Sequence, residues 1–188
     1  MWEFEYHDWN GLQGFRSSKN VRLLLDRVLR STDEKEWQTA LNLVEIYASD
    51  LGVPSEATKD VVACLVAVAV RAQGQKRSAI LGTLEELTCG RGVDEYTPQE
   101  VEWLRSSVHE LAYALHTWAH LAESASIEDA VLAVDLLAYC AVYIPQVESK
   151  VLRYLQLCAV ERPELAEEIS ALLANSEDVR RLLEKGSP

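Results

Sequence analysis

Residues 97–122, TPQEVEWLRSSVHELAYALHTWAHLA, are the stretch that decides the predicted fold. Thr97 and Glu100 flank Pro98 in a capping-box pattern, which is typical of the first turn of an α-helix. Beyond this turn, apolar side chains recur every three or four residues on one side, and polar side chains occupy the other. The stretch therefore predicts one long amphipathic helix, with Trp118 as a large side chain that faces the core.

Similar helix boundaries occur along most of the chain. Asp33 and Ser126 each stand in an N-terminal capping pattern, and Pro163 occupies a position where a helix can begin. No segment alternates between apolar and polar residues long enough to predict a sheet, so the expected fold class is all-α. The predicted helices are Asn20–Arg30, Asp33–Asp50, Ser55–Ala72, Lys76–Cys89, Thr97–Ala122, Ser126–Val142, Gln146–Val160 and Pro163–Ala174, with a short additional helix at Ser176–Lys185.

The predicted helices form pairs. First members begin near residues 20, 55, 97 and 146, and second members begin near residues 33, 76, 126 and 163. One amphipathic pair cannot bury its apolar side alone, and stacked neighbours bury it continuously, as in α-solenoids. We therefore expect residues 1–188 to form a single domain, a right-handed α-solenoid of about four antiparallel helix pairs, with residues 1–19 as an aromatic N-terminal arm.

Packing and turn residues of the first half of the chain follow a family pattern. They are Asp8, Trp9, Leu12, Val21, Leu24, Leu25, Leu29, Ser31, Thr32, Asp33, Ala40, Leu43, Gly52, Ala57, Thr58, Leu65, Arg77, Ile80, Leu81, Leu84, Leu87 and Gly90. With these residues the chain resembles the bacterial HEAT-like repeat proteins, whereas its remainder resembles them only as helix pairs. The resemblance implies a curved scaffold that binds proteins or, in some branches, nucleic acid. Some members look like immunity proteins for secreted toxins, and the basic concave surface expected of HEAT-like DNA glycosylases is missing from this sequence.

The charge of the chain bears on the kind of partner. Thirty acidic residues stand against 18 basic residues, which gives a net charge of −12. Between Glu95 and Glu148, Arg105 is the only base against nine acids. A nucleic acid or an anionic membrane surface would be repelled, whereas a basic protein would be attracted. The alternative interpretation is that the acidic surface serves solubility alone.

Acidic side chains on the second helices are the first candidates for a binding surface. With the apolar sides of these helices facing inward, Glu45 and Glu85 point outward. Asp135 is the only charged residue from Ala130 to Ile144, and it shares a face with Glu128 and Tyr139. Parallel stacking of the second helices would align Glu45, Glu85 and Asp135 in a row, with Glu168 as a candidate fourth member. Each acid taken alone is explained better by contact with solvent, and the row is a binding surface only where stacking brings its members together.

Histidines on the predicted long helix are the second candidates. His109, His116 and His120 are expected within a narrow angle on its polar side, close to Tyr113. The His116–His120 spacing can hold a zinc ion, but Thr117 stands where zinc proteases of the His-Glu-x-x-His type carry glutamate. We therefore expect no metal, and interpret this side as facing solvent or a partner.

The remaining sequence signals concern compartment and catalysis. The cysteines form no Cys-x-x-Cys motif, and most lie in apolar helical stretches, which predicts reduced, packed thiols in a cytoplasmic protein. Met1–Trp9 does not have the pattern of a signal peptide, and the longest apolar run, Val61–Val70, is too short to span a bilayer. Catalytic motifs and phosphate-binding loops are absent from the sequence, so we expect neither an enzyme nor a bound cofactor.

Together these patterns predict a protein that works by binding another protein. The favoured hypothesis is an immunity protein, monomeric when alone, that neutralises a basic bacterial toxin such as a nuclease through an acidic face. The alternative is a structural adaptor that holds partner proteins together. The predicted partner-binding residues are Glu45, Glu85, His109, Tyr113, His116, His120, Glu128, Asp135 and Tyr139.

Overall fold

The computed structural model describes Trp9, Gly14 and residues 21–50, 53–89 and 96–174 of the 188-residue chain. Most of these residues are helical, as the predicted all-α fold class requires. In chain order the elements are α1 Val21–Arg30, α2 Glu34–Ala48, β1 Ser49–Asp50, β2 Val53–Pro54, α3 Thr58–Ala69, α4 Gly74–Cys89, α5 Pro98–Ala112, α6 Leu115–Ser124, α7 Ile127–Tyr143 and α8 Pro145–Glu161. A 3-10 turn, Pro163–Leu165, and a helical segment, 166–174, follow.

Three helices begin at the caps that the sequence predicts. The Asp33 side chain accepts a hydrogen bond from the backbone N–H of Glu36, and the Ser126 side chain caps α7. In the capping box of α5, the Thr97 backbone N–H donates to the Glu100 carboxylate over 2.6 Å. These bonds satisfy N–H groups that a helix leaves without a partner at its start.

The predicted long helix Thr97–Ala122 is wrong, because two helices, α5 and α6, meet at Tyr113 and Ala114. At the break, the backbone N–H of Ala114 bonds to the carbonyl of Leu111, three residues back. The same carbonyl accepts the indole N–H of Trp118 over 2.9 Å. The Trp118 indole thereby gives the Leu111 carbonyl a donor, whereas in a continuous helix the donor would be the backbone N–H four residues further on. Trp118 itself is 0% exposed, which confirms its predicted inward position.

The end of α2 also differs from the prediction. The predicted helix Asp33–Asp50 stops at Ala48, and the antiparallel pair β1–β2 follows. The Thr58 hydroxyl donates to the Ala48 carbonyl over 2.7 Å and accepts the N–H of Ser55, so this turn is closed by side-chain bonds. The predicted arm 1–19, apart from Trp9 and Gly14, and the predicted helix Ser176–Lys185 lie outside the described residues.

The helices pack in two sets around a common apolar core. In one set α1 contacts α3 and α3 contacts α5, and in the other α2 contacts α4 and α4 contacts α7. The α1–α2, α3–α4 and α7–α8 pairs, adjacent in sequence, also pack against each other. Consequently α2, α4 and α7 lie next to one another in chain order, and this arrangement positions the candidate site.

One buried ion pair fixes α4 against α7. Asp129 is 2% exposed, and its carboxylate accepts two short bonds from the Arg77 guanidinium, at 2.7 and 2.6 Å. The Ser78 hydroxyl donates to the other carboxylate oxygen over 2.6 Å. Because these bonds pair the charge that burial isolates from water, they make the contact between the starts of the two helices specific.

The four cysteines are reduced and form no disulfide with one another, and Cys64, Cys140 and Cys158 are buried, as predicted. Burial raises the pKa of Cys140 to about 12, so this thiol stays protonated at neutral pH. In the described part of the chain, no helix has both the length and the hydropathy needed to cross a membrane.

Candidate functional site

Carboxylates from separate helices converge beside α4. Glu45 lies on α2, Glu85 and Glu86 on α4, Asp135 on α7 and Glu168 in the helical segment 166–174. We call these five residues the acidic cluster. They come together because α2, α4 and α7 pack in sequence order with their apolar sides inward.

Glu45 and Glu86 form one end of the acidic cluster. Their side chains share a hydrogen bond, which requires a proton on one of the two carboxyls. Burial of Glu45, followed by this hydrogen bond and the negative charge of Glu86, raises the pKa of Glu45 to about 7. A cation placed at this end would favour release of that proton.

Asp135 forms the centre of the acidic cluster. Burial raises the pKa of Asp135 to about 7, and the charges of Glu85 and Glu168 contribute to the rise. Near neutral pH this carboxyl therefore exchanges readily between its neutral and charged forms. An approaching positive charge would favour the ionised form, because it offsets the repulsion from the neighbouring acids.

Two polar side chains support Glu85. The Tyr139 hydroxyl donates to the Glu85 carboxylate over 3.5 Å, and Cys89 also hydrogen-bonds to it. Burial raises the pKa of Glu85, whereas the hydrogen bonds from Cys89 and Tyr139 lower it. Burial also raises the pKa of the Cys89 thiol, so Cys89 acts as a hydrogen-bond donor and not as a nucleophile at neutral pH.

The acidic cluster has no basic counterpart within the described part of the molecule. The ion pairs found there involve other acids, namely Asp26, Glu102, Glu110, Asp129 and Glu164. Glu45, Glu85 and Asp135 are half-buried, whereas Glu86 and Glu168 are exposed. Carboxylates this close to one another repel, and the cost is relieved by protonation or by a bound cation. The arrangement is suited to holding a cationic group, such as a lysine or arginine side chain of a partner.

The structure brings together four of the nine residues that the sequence predicts for partner binding. They are Glu45, Glu85, Asp135 and Tyr139. Glu128 shares the face of Asp135 but lies exposed in the first turn of α7, without a described contact to the acidic cluster. Tyr113 is 85% exposed at the break between α5 and α6.

The prediction that His109, His116 and His120 lie on one side of a single helix is wrong, because two helices stand where one long helix was predicted. His109 lies on α5, whereas His116 and His120 lie on α6, so one helical phase does not relate all three. His116 and His120 line a cavity of about 300 Å³ together with Lys150 and Tyr154 of α8. They therefore belong to a different part of the surface from the acidic cluster.

The His116–His120 pair, whose spacing can hold zinc, has no third metal ligand beside it among the described residues. Among the described residues, no group of three or more histidine, cysteine or carboxylate side chains is arranged to hold a metal ion. His120 instead lies within 3.4 Å of the Ser124 hydroxyl. The absence of a bound metal stays a prediction.

Glu86 and Cys89 lie at this site but are not among the predicted partner-binding residues, although the helical phase that turns Glu85 outward does the same for Glu86. Glu86 is adjacent to the predicted Glu85, and Cys89 follows Glu85 by one helical turn. That i, i+4 spacing is the signal that could have identified Cys89 as a neighbour of Glu85. Nothing in the sequence indicates that Glu45 reaches Glu86 rather than Glu85.

Comparison with known proteins adds no family to this picture. No protein-family model matches the chain, and a search of curated proteins finds no significant relative.

Proposed function

We propose that this chain is a non-catalytic protein-binding module that docks a basic partner on the acidic cluster. The observation that supports it best is the convergence of carboxylates from several helices with no described base among them. The negative charges of such a surface repel one another, and a cation that binds there lowers this repulsion. A complementary partner gains both specificity and speed of association from this field.

The proposal includes the finer architecture, a right-handed, HEAT-like α-solenoid of about four antiparallel helix pairs. Its support is the packing order, in which α1, α3 and α5 contact in sequence, as do α2, α4 and α7. In a solenoid, the second helices of successive pairs line one side of the molecule. Carboxylates on α2, α4 and α7 would then share one continuous binding surface.

Among basic partners, we favour a secreted bacterial toxin of the nuclease type, with this chain as its immunity protein. A nuclease needs basic side chains to hold phosphates, and a row of carboxylates offers those side chains a similar pattern of negative charge. An inhibitor of this kind acts in the cytoplasm as a monomer before it meets the toxin. The four reduced cysteines fit a reducing compartment.

An adaptor role is the second candidate function. The exposed apolar side chains Leu157 and Val160 lie one turn apart on α8 and offer a second contact surface. An adaptor needs two such surfaces, whereas an inhibitor needs one. The two functions differ in whether the bound partner keeps its activity and whether a further protein is recovered with it.

The test is the binding of a partner recovered by co-purification with the native chain. We expect Asp135→Ala and Tyr139→Ala each to weaken binding by about 2 kcal/mol or more if they are central anchors. The association rate should fall as salt screens the acidic field. Glu56→Ala is the matched control, because it removes a carboxylate from an exposed turn outside the acidic cluster.

The outcomes separate the hypotheses cleanly. A partner that loses its activity on binding supports inhibition, and an active partner recovered with a third protein supports the adaptor role. Binding that responds neither to salt nor to the two cluster variants would show that the partner docks elsewhere. Circular dichroism of each variant checks that the helical fold is retained.

A further inference from the structure

A cavity of about 490 Å³ opens at the ends of the first four helices, away from the acidic cluster. Leu29 at the end of α1, Trp37 in α2 and Val68 in α3 contribute apolar surface to its lining. Most of the other described lining residues are polar or charged, so the cavity combines an apolar wall with groups that can orient a small molecule.

The charge of this cavity is opposite to that of the chain. Among the described residues that line it, each ionisable side chain is basic, namely Arg30, Arg71 and Lys76. Acidic residues outnumber basic residues 30 to 18 in the whole sequence, so this local excess of positive charge runs against the overall composition. Its electrostatic complement is an anion.

Lys76 is held in place at the cavity wall. Its ammonium group donates to the carbonyl of Ser31 over 2.9 Å and to that of Leu29 over 3.3 Å. The same ammonium lies 5.9 Å from the centre of the Trp37 ring. Gly74, with φ +58°, provides the turn into α4 from which Lys76 reaches back to α1. An ammonium group carries three N–H donors, so one remains for a ligand.

Arg71 supplies the free cation. It lies exposed in the turn after α3, where its backbone N–H donates to the Val68 carbonyl, and its side chain forms no hydrogen bond or ion pair within the described part of the chain. Its guanidinium carries five N–H donors that match a carboxylate or phosphate group. Arg30 contributes less, because its Nε already donates to Asp26 over 2.7 Å.

We propose that this cavity binds a small organic anion. Its carboxylate or phosphate group would accept hydrogen bonds from Arg71 and Lys76, and its apolar body would pack against Trp37, Leu29 and Val68. The site is independent of the acidic cluster, and its ligand has the opposite charge to the proposed partner.

The test compares three probes by isothermal titration calorimetry on the full chain: phenyl phosphate, inorganic phosphate and phenol. We expect saturable one-site binding of phenyl phosphate, weaker binding of inorganic phosphate and no binding of phenol. Arg71→Gln should weaken phenyl phosphate binding about tenfold or more, because a charge-assisted hydrogen bond is lost. Lys76→Gln should act in the same direction.

Arg153→Gln is the matched control, since it removes an exposed base from α8 and should leave binding unchanged. Arg71→Gln decides the result even if Lys76→Gln loosens the end of α1, because the Arg71 side chain makes no described hydrogen bond or ion pair and the variant keeps the backbone bond to Val68. Failure of phenyl phosphate to bind, or equal affinities in Arg71→Gln and Arg153→Gln, would overturn the proposal. Equal affinities for inorganic and phenyl phosphate would overturn the assignment of an apolar ligand body.

Discussion

Two aspartates on α7 are placed in opposite electrostatic surroundings. Asp129 is buried at the start of the helix, where the Arg77 guanidinium and the Ser78 hydroxyl satisfy its carboxylate. Asp135, two turns later, is half-buried among other acids and has no described cationic partner. The same helix thus carries a carboxylate whose charge is compensated within the molecule and another whose charge is not.

The difference separates a group that maintains the fold from a group that is available to a ligand. A compensated buried charge contributes geometry, since its removal leaves the partner charge isolated. An uncompensated carboxylate costs free energy when it ionises, and a protein retains it at the expense of stability. The comparison predicts opposite effects when each aspartate is neutralised.

The largest effect is expected at Asp129. Asp129→Ala should lower the free energy of unfolding by about 3–5 kcal/mol, because Arg77 is left as an unpaired cation in a poorly hydrated position. Urea denaturation followed by circular dichroism measures the change. Glu102→Ala is the control, since it breaks an exposed pair with Arg105 and should cost less than about 1 kcal/mol. Equal costs for the two variants would contradict the distinction between them.

A smaller effect is expected from pH: protonating the acidic cluster should raise the free energy of unfolding, whereas removing the Asp129 carboxylate lowers it. The pKa of Glu45 and that of Asp135 are each raised by burial to about 7 in the folded chain, from ordinary values of 4.5 and 3.8. Between these limits the folded state binds more protons than the unfolded state, so stability falls as pH rises. Ionisation of two half-exposed carboxyls, screened by solvent, should lower the free energy of unfolding by about 2 kcal/mol between pH 5 and pH 8.

Asp135→Asn sharpens this measurement. The variant should be more stable than the wild type by about 1 kcal/mol at pH 8, and its stability should depend less on pH, because the amide does not ionise. Glu56→Gln removes the same charge from an exposed turn and should leave the pH dependence as it is. A wild type that gains stability from pH 5 to pH 8 would show that the acidic cluster is compensated after all.

Much of this organisation follows from sequence periodicity alone. Trp118 is buried as its helical phase predicts, and the same kind of argument turns Glu45 and Glu85 away from the core and puts Asp135 and Tyr139 on one face. Local pattern fixes which side of a helix a residue occupies. The meeting of Glu45 with Glu86 depends on the register between α2 and α4, which packing determines and local pattern does not.

The missed features depend on particular side-chain contacts, which helical periodicity does not report. The break between α5 and α6 contains neither glycine nor proline, and its compensating bond runs from the Trp118 indole to the carbonyl of Leu111. The Arg77–Asp129 pair joins residues 52 positions apart in sequence. The cavity lined by Arg30, Arg71 and Lys76 combines side chains from the ends of separate helices, so no contiguous sequence motif indicates it.

The smallest change in the free energy of unfolding is expected from removing a single hydroxyl of the acidic region, that of Tyr139. Its bond to Glu85 is 3.5 Å long, in contrast to the bonds of 2.6–2.7 Å that hold Asp129. Tyr139→Phe should therefore change the free energy of unfolding by less than about 0.5 kcal/mol, measured by urea denaturation. Tyr154→Phe is the matched control, because that hydroxyl donates to the Ala119 carbonyl over 2.6 Å and its loss should cost about 1 kcal/mol or more. A cost for Tyr139→Phe as large as that of the control would mean that the Tyr139 hydroxyl maintains the fold. The Tyr139 hydroxyl would then not be available to a partner. The acidic cluster would, like the surroundings of Asp129, be held by hydrogen bonds that the fold needs.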